Sequence, residues 1–208
     1  MNENKPPVEE NQSFIAEARR EQIIKAAIKT LDEIGYVKTS LSKIAKTAGI
    51  STALISYHFS DKSDLMNQLL MKLIESSSTY ILTRVQMEST PREKLHVFIE
   101  SSLAYQGTYP SHNAALLEII FNARTPENIP YYKLNDEEED DVILHELREI
   151  LREGQEKGEF GAFNIHVMAN MIQGAIGEYM MVHPNHTQKV DLETYSNELI
   201  KIVQKATG

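Results

Sequence analysis

At 208 residues the chain can bury a sizeable core without staples, and having no cysteine it has neither a disulfide framework nor a thiolate metal site. The first thirteen residues lack the apolar run of a secretory signal, and no stretch approaches the roughly 20 apolar residues of a membrane span, so a soluble, cytoplasmic protein without membrane contact is expected. The net charge of −9 argues at first against nucleic acid, but residues 19–62 hold eight Lys and Arg against four Asp and Glu, a basic window in an acidic chain. Phosphate binding requires only that the docking face be positive. The same asymmetry also suits an ordinary solvated face.

The pattern is helical throughout, with no alternating β-branched run. The polar start, with Pro6 and Pro7, reads as an arm over residues 1–13. A first helix is expected from about Ser13 to Ile34, its inner face formed by Ile23, Ala27, Leu31 and Ile34 with Ile24 and Ile28 beside them, and Gly35 ending it. Ser40 can cap a second helix that stops at Gly49, and Ser51 a third that runs to about His58. A fourth helix is expected from Ser60–Asp61 to about Glu88. Thr90-Pro-Arg-Glu93 combines a capping box with proline in the first turn and opens a fifth, to about Gly107. A sixth follows Pro110, from Ser111 to Arg124, and residues 125–132 are a loop. Asn135 can cap a seventh helix whose first turn, Asp136 to Asp141, places carboxylates at the positive end of the helix dipole. Gly158 ends it. Asn164 caps an eighth helix to about Val182, and Asp191 opens a ninth that reaches Lys205. His183-Pro-Asn-His186 between them reads as a loop, since nothing nearby offers a third metal ligand.

The segment from Ser40 to Phe59 carries the most information. Two short helices crossing steeply need a small residue where one passes over the other, a turn residue that tolerates positive φ, and an aliphatic residue pointing back into the core. Ala45, Gly49 and Ile55 meet these needs at the spacing of a helix-turn-helix, with Leu41, Ile44, Ile50 and Phe59 as further apolar contacts. A plain helical hairpin also likes alanine and glycine; the joint spacing with both caps favours DNA binding. The outward face of the third helix then offers Ser51, Thr52 and Ala53 at its start, Ser56 and Tyr57 one turn on, and His58 and Lys62 beyond. Hydroxyls can bond several base edges and Ala53 can touch a thymine methyl. Ser40, Ser42 and Lys43 of the second helix complete the expected DNA-contact set. The third helix is poor in Arg, Asn and Gln, so phosphate contacts and DNA shape should carry more of the specificity.

Residues 20–69 resemble the DNA-binding domain of the TetR (tetracycline repressor) family. The matching stretches are Ile23-Ile-Lys-Ala-Ala-Ile28, Glu33-Ile-Gly-Tyr36, Thr39-Ser40, Ile44-Ala45, Ala48-Gly-Ile-Ser51, Tyr57-His-Phe59 and Lys62-Ser-Asp-Leu65. The resemblance implies that Ser51 to His58 enter the major groove of double-stranded operator DNA, with Tyr57, His58 and Lys62 on phosphates and Thr52 and Ala53 nearest base edges. Two positions depart from the family's habit, Ala53 where glycine is frequent and Ser56 where a tyrosine is common, so the operator sequence does not carry over. The resemblance also implies an all-α architecture of two domains: a helix-turn-helix domain over residues 14–60, and a helical bundle over 61–208 for ligand binding and dimerisation. Glu153-Gly-Gln-Glu-Lys-Gly-Glu-Phe160 is similar to the turn the family places after its seventh helix.

The eighth helix carries a wide apolar stripe, Val167, Met168, Met171, Ile172, Ala175, Ile176 and Tyr179, with Gly174 and Gly177 between. With Leu192, Leu199, Ile202 and Val203 of the ninth it suits a homodimer interface; the same residues also suit a core within one subunit. Candidates to line a pocket for an unidentified small-molecule effector are Tyr80, Phe98, Leu103, Tyr105, Tyr109, His112, Leu116, Glu118, Phe121, Asn122, Met168 and Ile172. Glu118 stands among Leu116, Leu117, Ile119, Ile120 and Phe121, and a buried carboxylate needs a partner. That partner is a cationic ligand, an internal arginine or water.

An enzyme is disfavoured. The chain has no Gly-rich phosphate loop, GxSxG elbow or HExxH, and Glu93-Lys-Leu-His96 lacks the second copy that a di-iron bundle needs. Neither cofactor nor metal is expected. The function expected is a sequence-specific transcription regulator of the repressor kind, released from its operator by a small molecule.

Overall fold

Most of the helices begin where a side chain takes up an N–H group that no helical carbonyl reaches, as at Ser40, Ser51, Thr90, Asp141 and Asp191. The computed structural model describes residues 7–133, 141–181 and 190–208. Among these, nine α-helices run α1 Pro7–Lys38, α2 Leu41–Ala48, α3 Thr52–His58, α4 Lys62–Val85, α5 Pro91–Thr108, α6 Pro110–Asn122, α7 Val142–Glu156, α8 Ile165–Met181 and α9 Leu192–Thr207, with a 3-10 turn at Tyr131–Lys133. No strand occurs among the described residues, so the expected all-α class holds. No described helix is long and apolar enough to cross a membrane.

The start of α1 differs from expectation. The helix opens at Pro7, inside the stretch read as an arm, where proline costs no hydrogen bond in a first turn. Gly35, with φ 73° and ψ 167°, ends its regular part, and one further turn reaches Lys38. The start of α7 also moves. Asp141 is its cap, accepting from the N–H groups of Ile143 and Leu144 at 3.0 and 3.1 Å. Any Asp or Asn of the polar run could cap, and the one used directly precedes the apolar Val142-Ile-Leu144. The expected cap Asn135 and the acidic residues 136–140 lie outside the described residues, as does His183 to His186.

The chain forms two compact units: described residues 7–72 with 114–133, and 73–113 with 141–181 and 190–208. In the first, α1 packs along α2 and α2 against α3. Ile23, Ala27 and Leu31 of α1, Ile44 and Ala45 of α2, Ile55 of α3, and Phe59, Leu65 and Leu69 around the start of α4 are buried with Ala115 and Ile119 of α6. In the second unit α5 is the central element, packed by α7, α8 and α9. Its Phe98, Ile99 and Leu103 share a core with Leu147 and Leu151, Met168 and Ile172, and Leu199 and Val203. Ser101 and Ser102 are buried there at no polar cost, because their hydroxyls donate to the carbonyls of Val97 and Phe98 one turn back.

The apolar stripe of the eighth helix divides in two. Met168, Ile172 and Ile176 are buried within the unit, while Val167 and Met171 are 67 % and 45 % exposed on another face. On α9, Leu199 and Val203 are buried and Ile202 is 57 % exposed. A glycine cradle joins α7 to the following turn. Gly158 (φ 71°) reverses the chain, and Phe160 lays its ring on Gly154.

Candidate nucleic-acid interface

The helix-turn-helix takes the form that its three spaced residues require. Ala45 and Ile55 are buried. Gly49 takes the left-handed conformation, φ 68° and ψ 32°, and its N–H returns to the carbonyls of Ala45 and Lys46. Ser40 caps α2 by accepting from the Lys43 N–H at 3.3 Å, and Ser51 caps α3 by accepting from the Leu54 N–H at 3.2 Å. Each such cap stabilises its helix by about 1 kcal/mol. From α1, Gln22 donates to the Ala48 carbonyl at 2.7 Å, and Thr30 reaches the Thr47 hydroxyl at 3.1 Å.

With the inner face committed to the core, the outer face is free. Ser42, Lys43, Ser51, Thr52, Ala53, Ser56 and Tyr57 are all exposed, and Tyr57 is 82 % exposed. Ser40, His58 and Lys62 are half-buried beside them. Burial lowers the His58 pKa first, and the positive Arg20 and Arg19 lower it further, so at neutral pH it meets this face as a neutral imidazole. Lys62 is not extended toward solvent. Its ammonium donates to the Tyr36 carbonyl at 2.6 Å and lies 4.0 Å from that ring's centroid, and burial lowers its pKa.

Residues that sequence reasoning missed support this surface from behind. Arg20 donates to Gln68 at 2.8 Å and stacks over Phe59 at 5.3 Å, and Glu21 pairs with Lys72. Asp64 accepts from the Ser60 N–H at 2.8 Å, which starts α4, and hydrogen bonds from Gln68 and Ser60 lower its pKa. Two arginines beside a predicted helix-turn-helix were the available signal; their partners are not deducible from spacing.

The twelve pocket candidates separate. Tyr80, Tyr105, Tyr109 and His112 come together in the second unit as one aromatic cluster, with ring centroids of neighbours 4.9–6.3 Å apart. The Tyr105 hydroxyl meets His112 Nδ1 at 3.2 Å; burial raises the phenol to about 12 and lowers the imidazole. Arg84 stacks on Tyr80 at 3.5 Å. Phe98, Leu103, Met168 and Ile172 are core residues of that unit. Leu116, Glu118, Phe121 and Asn122 belong to the first unit instead, where Phe121 is 49 % exposed against Tyr132. Glu118 accepts from the Tyr36 backbone N–H at 2.7 Å and from the Asn122 side-chain amide. Glu93 is likewise committed, closing the capping box with Thr90. Among the described residues no group of His, Asp and Glu is arranged to hold a metal.

Residues 23–69 match the family model described as bacterial regulatory proteins, tetR family. Over 186 residues the chain is 27 % identical to the fatty acid metabolism regulator protein of Bacillus subtilis, covering 88 % of this chain and 92 % of that one. The crystal structure of the transcriptional regulator FadR from Bacillus subtilis in complex with stearoyl-CoA superposes with a TM-score of 0.74 at 26 % identity, covering 90 % of this chain and 99 % of that chain. The fatty acid degradation regulator FadR from Bacillus halodurans shares the fold over 97 % of both chains, with a TM-score of 0.76 and 24 % identity.

Proposed function

We propose that this chain is a regulator of the tetR kind, whose family model its residues 23–69 match, and that it represses transcription by holding operator DNA until a small molecule releases it. The observation that carries the reading is the outer face of α3. Ser51, Thr52, Ala53, Ser56 and Tyr57 form an exposed row on a helix whose inner residue, Ile55, is buried. In this reading α3 enters the major groove with Thr52 and Ala53 at base edges and Tyr57 and His58 on phosphates. Ser40, Ser42 and Lys43 at the start of α2 hold the adjacent backbone. Lys62 reaches a phosphate only by leaving the Tyr36 carbonyl.

Two subunits would present two such helices to successive grooves, so the operator is roughly palindromic. The dimer forms through α8 and α9. Support comes from Val167, Met171 and Ile202, which are apolar and exposed, and from Gly174, which leaves open space for a close approach. The effector is a fatty acyl thioester of coenzyme A, a reading supported by the fatty acid metabolism regulator relative and by the stearoyl-CoA complex of its structural counterpart. It binds in the second unit beside Tyr80, Tyr105, Tyr109 and His112. Ligand and DNA then weaken each other reciprocally, by an amount typically about 1–3 kcal/mol.

Fluorescence anisotropy on labelled operator DNA tests the reading. Stearoyl-CoA should release the DNA where coenzyme A alone does not, and Tyr57→Ala should weaken binding without changing the unfolding midpoint. Binding that ignores Tyr57→Ala removes α3 from the interface. Release by neither compound removes the acyl thioester from the account.

A further inference from the structure

Tyr36 is gripped through both of its main-chain polar groups by opposite charges. Its N–H donates to Glu118 Oε2 of α6 at 2.7 Å, and its carbonyl accepts from the Lys62 ammonium of α4 at 2.6 Å. Both are charge-assisted hydrogen bonds, the stronger kind, and all three residues belong to the first unit. The carboxylate gets this close because residue 35 is glycine. A Cβ there would stand 3.2 Å from Glu118 Oε2, and φ 73° is a conformation that other residues rarely adopt.

What is gripped is the base of the helix-turn-helix. The Tyr36 carbonyl also accepts from the Thr39 N–H at 3.1 Å, and the Thr39 hydroxyl donates to the Gly35 carbonyl at 2.7 Å. Thr39 is buried, and the next residue, Ser40, is the cap of α2. Lys43 adds a further tie, donating to the Lys38 carbonyl at 2.8 Å. A displacement of the Tyr36 main chain is therefore passed through one short hydrogen-bonded turn to the start of α2.

We propose that Glu118 is a positioning residue for DNA binding: from α6 it fixes the Tyr36 main chain, and through it the N-terminus of α2. It touches no DNA. The inference rests on the reading of the chain as a DNA-binding regulator.

The test compares the full-length wild type with Glu118→Ala and Glu118→Gln. Three quantities are read: operator affinity across a salt series, backbone hydrogen exchange without DNA, and the urea midpoint. Losing a hydrogen bond to a charged acceptor should weaken operator binding about tenfold in Glu118→Ala. The salt slope should stay unchanged, since no phosphate contact is lost. Exchange should quicken at Tyr36 and over residues 37–41 while the core of α1 stays protected. Glu118→Gln, which keeps an acceptor oxygen, should recover part of the affinity. The proposal is overturned if Glu118→Ala binds within twofold of wild type, or if exchange quickens evenly across residues 20–72, which is general loosening. A wild type with no specific DNA sinks the parent reading instead, and exchange at Tyr36 still reports whether Glu118 holds that N–H.

Discussion

Gln22 on α1 donates its side-chain amide to the carbonyl of Ala48, the last residue of α2, at 2.7 Å. It thereby satisfies a terminal carbonyl that has no helical partner and fixes the end of α2 just before the chain turns at Gly49. Replacing Gln22 by Ala should lower stability by about 1 kcal/mol in urea titrations. Gln22→Glu should cost more, because it sets a carboxylate against a carbonyl oxygen. Unchanged midpoints in both would mean the bond stabilises nothing.

Two glycines with positive φ should respond differently to the same change. Gly49 has open space where a Cβ would go, so Gly49→Ala bears only the left-handed strain, about 1–2 kcal/mol. Gly35 combines φ 73° and ψ 167° with a carboxylate oxygen 3.2 Å from the added carbon, so Gly35→Ala should be the more damaging. The order of the two urea midpoints checks this, and the reverse order would contradict it.

Gly154 is a packing glycine. A Cβ there would collide with the Phe160 ring, and Phe160 is buried. Gly154→Ala must displace the ring and should cost about 1–3 kcal/mol. The double change Gly154→Ala with Phe160→Leu should cost less than the two singles added together, which a double-mutant cycle measures.

Acid should act on stability and DNA binding in opposite directions. The pKa values of His58 and His112 are both lowered in the folded chain, by burial first and, for His58, by Arg20 and Arg19 next. The unfolded chain then binds more protons, so their contribution is complete above the ordinary histidine pKa and is lost as pH falls through the lowered folded values. Protonating His58 also adds a cation to the α3 face. Operator affinity should therefore rise from about pH 7.5 to 5.5 while the urea midpoint falls. His58→Asn should flatten the affinity trend and leave the share of the stability trend due to His112. Affinity that is flat with pH in the wild type would contradict the placement of His58.

The helix-turn-helix was legible because its determinants are local. Ala45, Gly49 and Ile55 act within eleven residues, and the caps Ser40, Ser51 and Thr90 bond to N–H groups three residues on. Glu118 was not legible. Its apolar neighbours in sequence suggested a pocket, but its partner is the Tyr36 amide, 82 residues away, and a backbone N–H leaves no trace in composition. Lys62 was hidden for the same reason, its phosphate role carried over from a family while its ammonium rests on a distant carbonyl. The pocket candidates divided because a helical stripe tells which residues turn inward, not which of two units they turn into.

The most direct test of the regulator reading is the recovery of genomic fragments by the purified protein at moderate salt, read by sequencing, with Tyr57→Ala in parallel. The account predicts enrichment of one or a few near-palindromic sites by the wild type, lost in Tyr57→Ala. Even coverage of the genome by both proteins, erased alike by added salt, would contradict it.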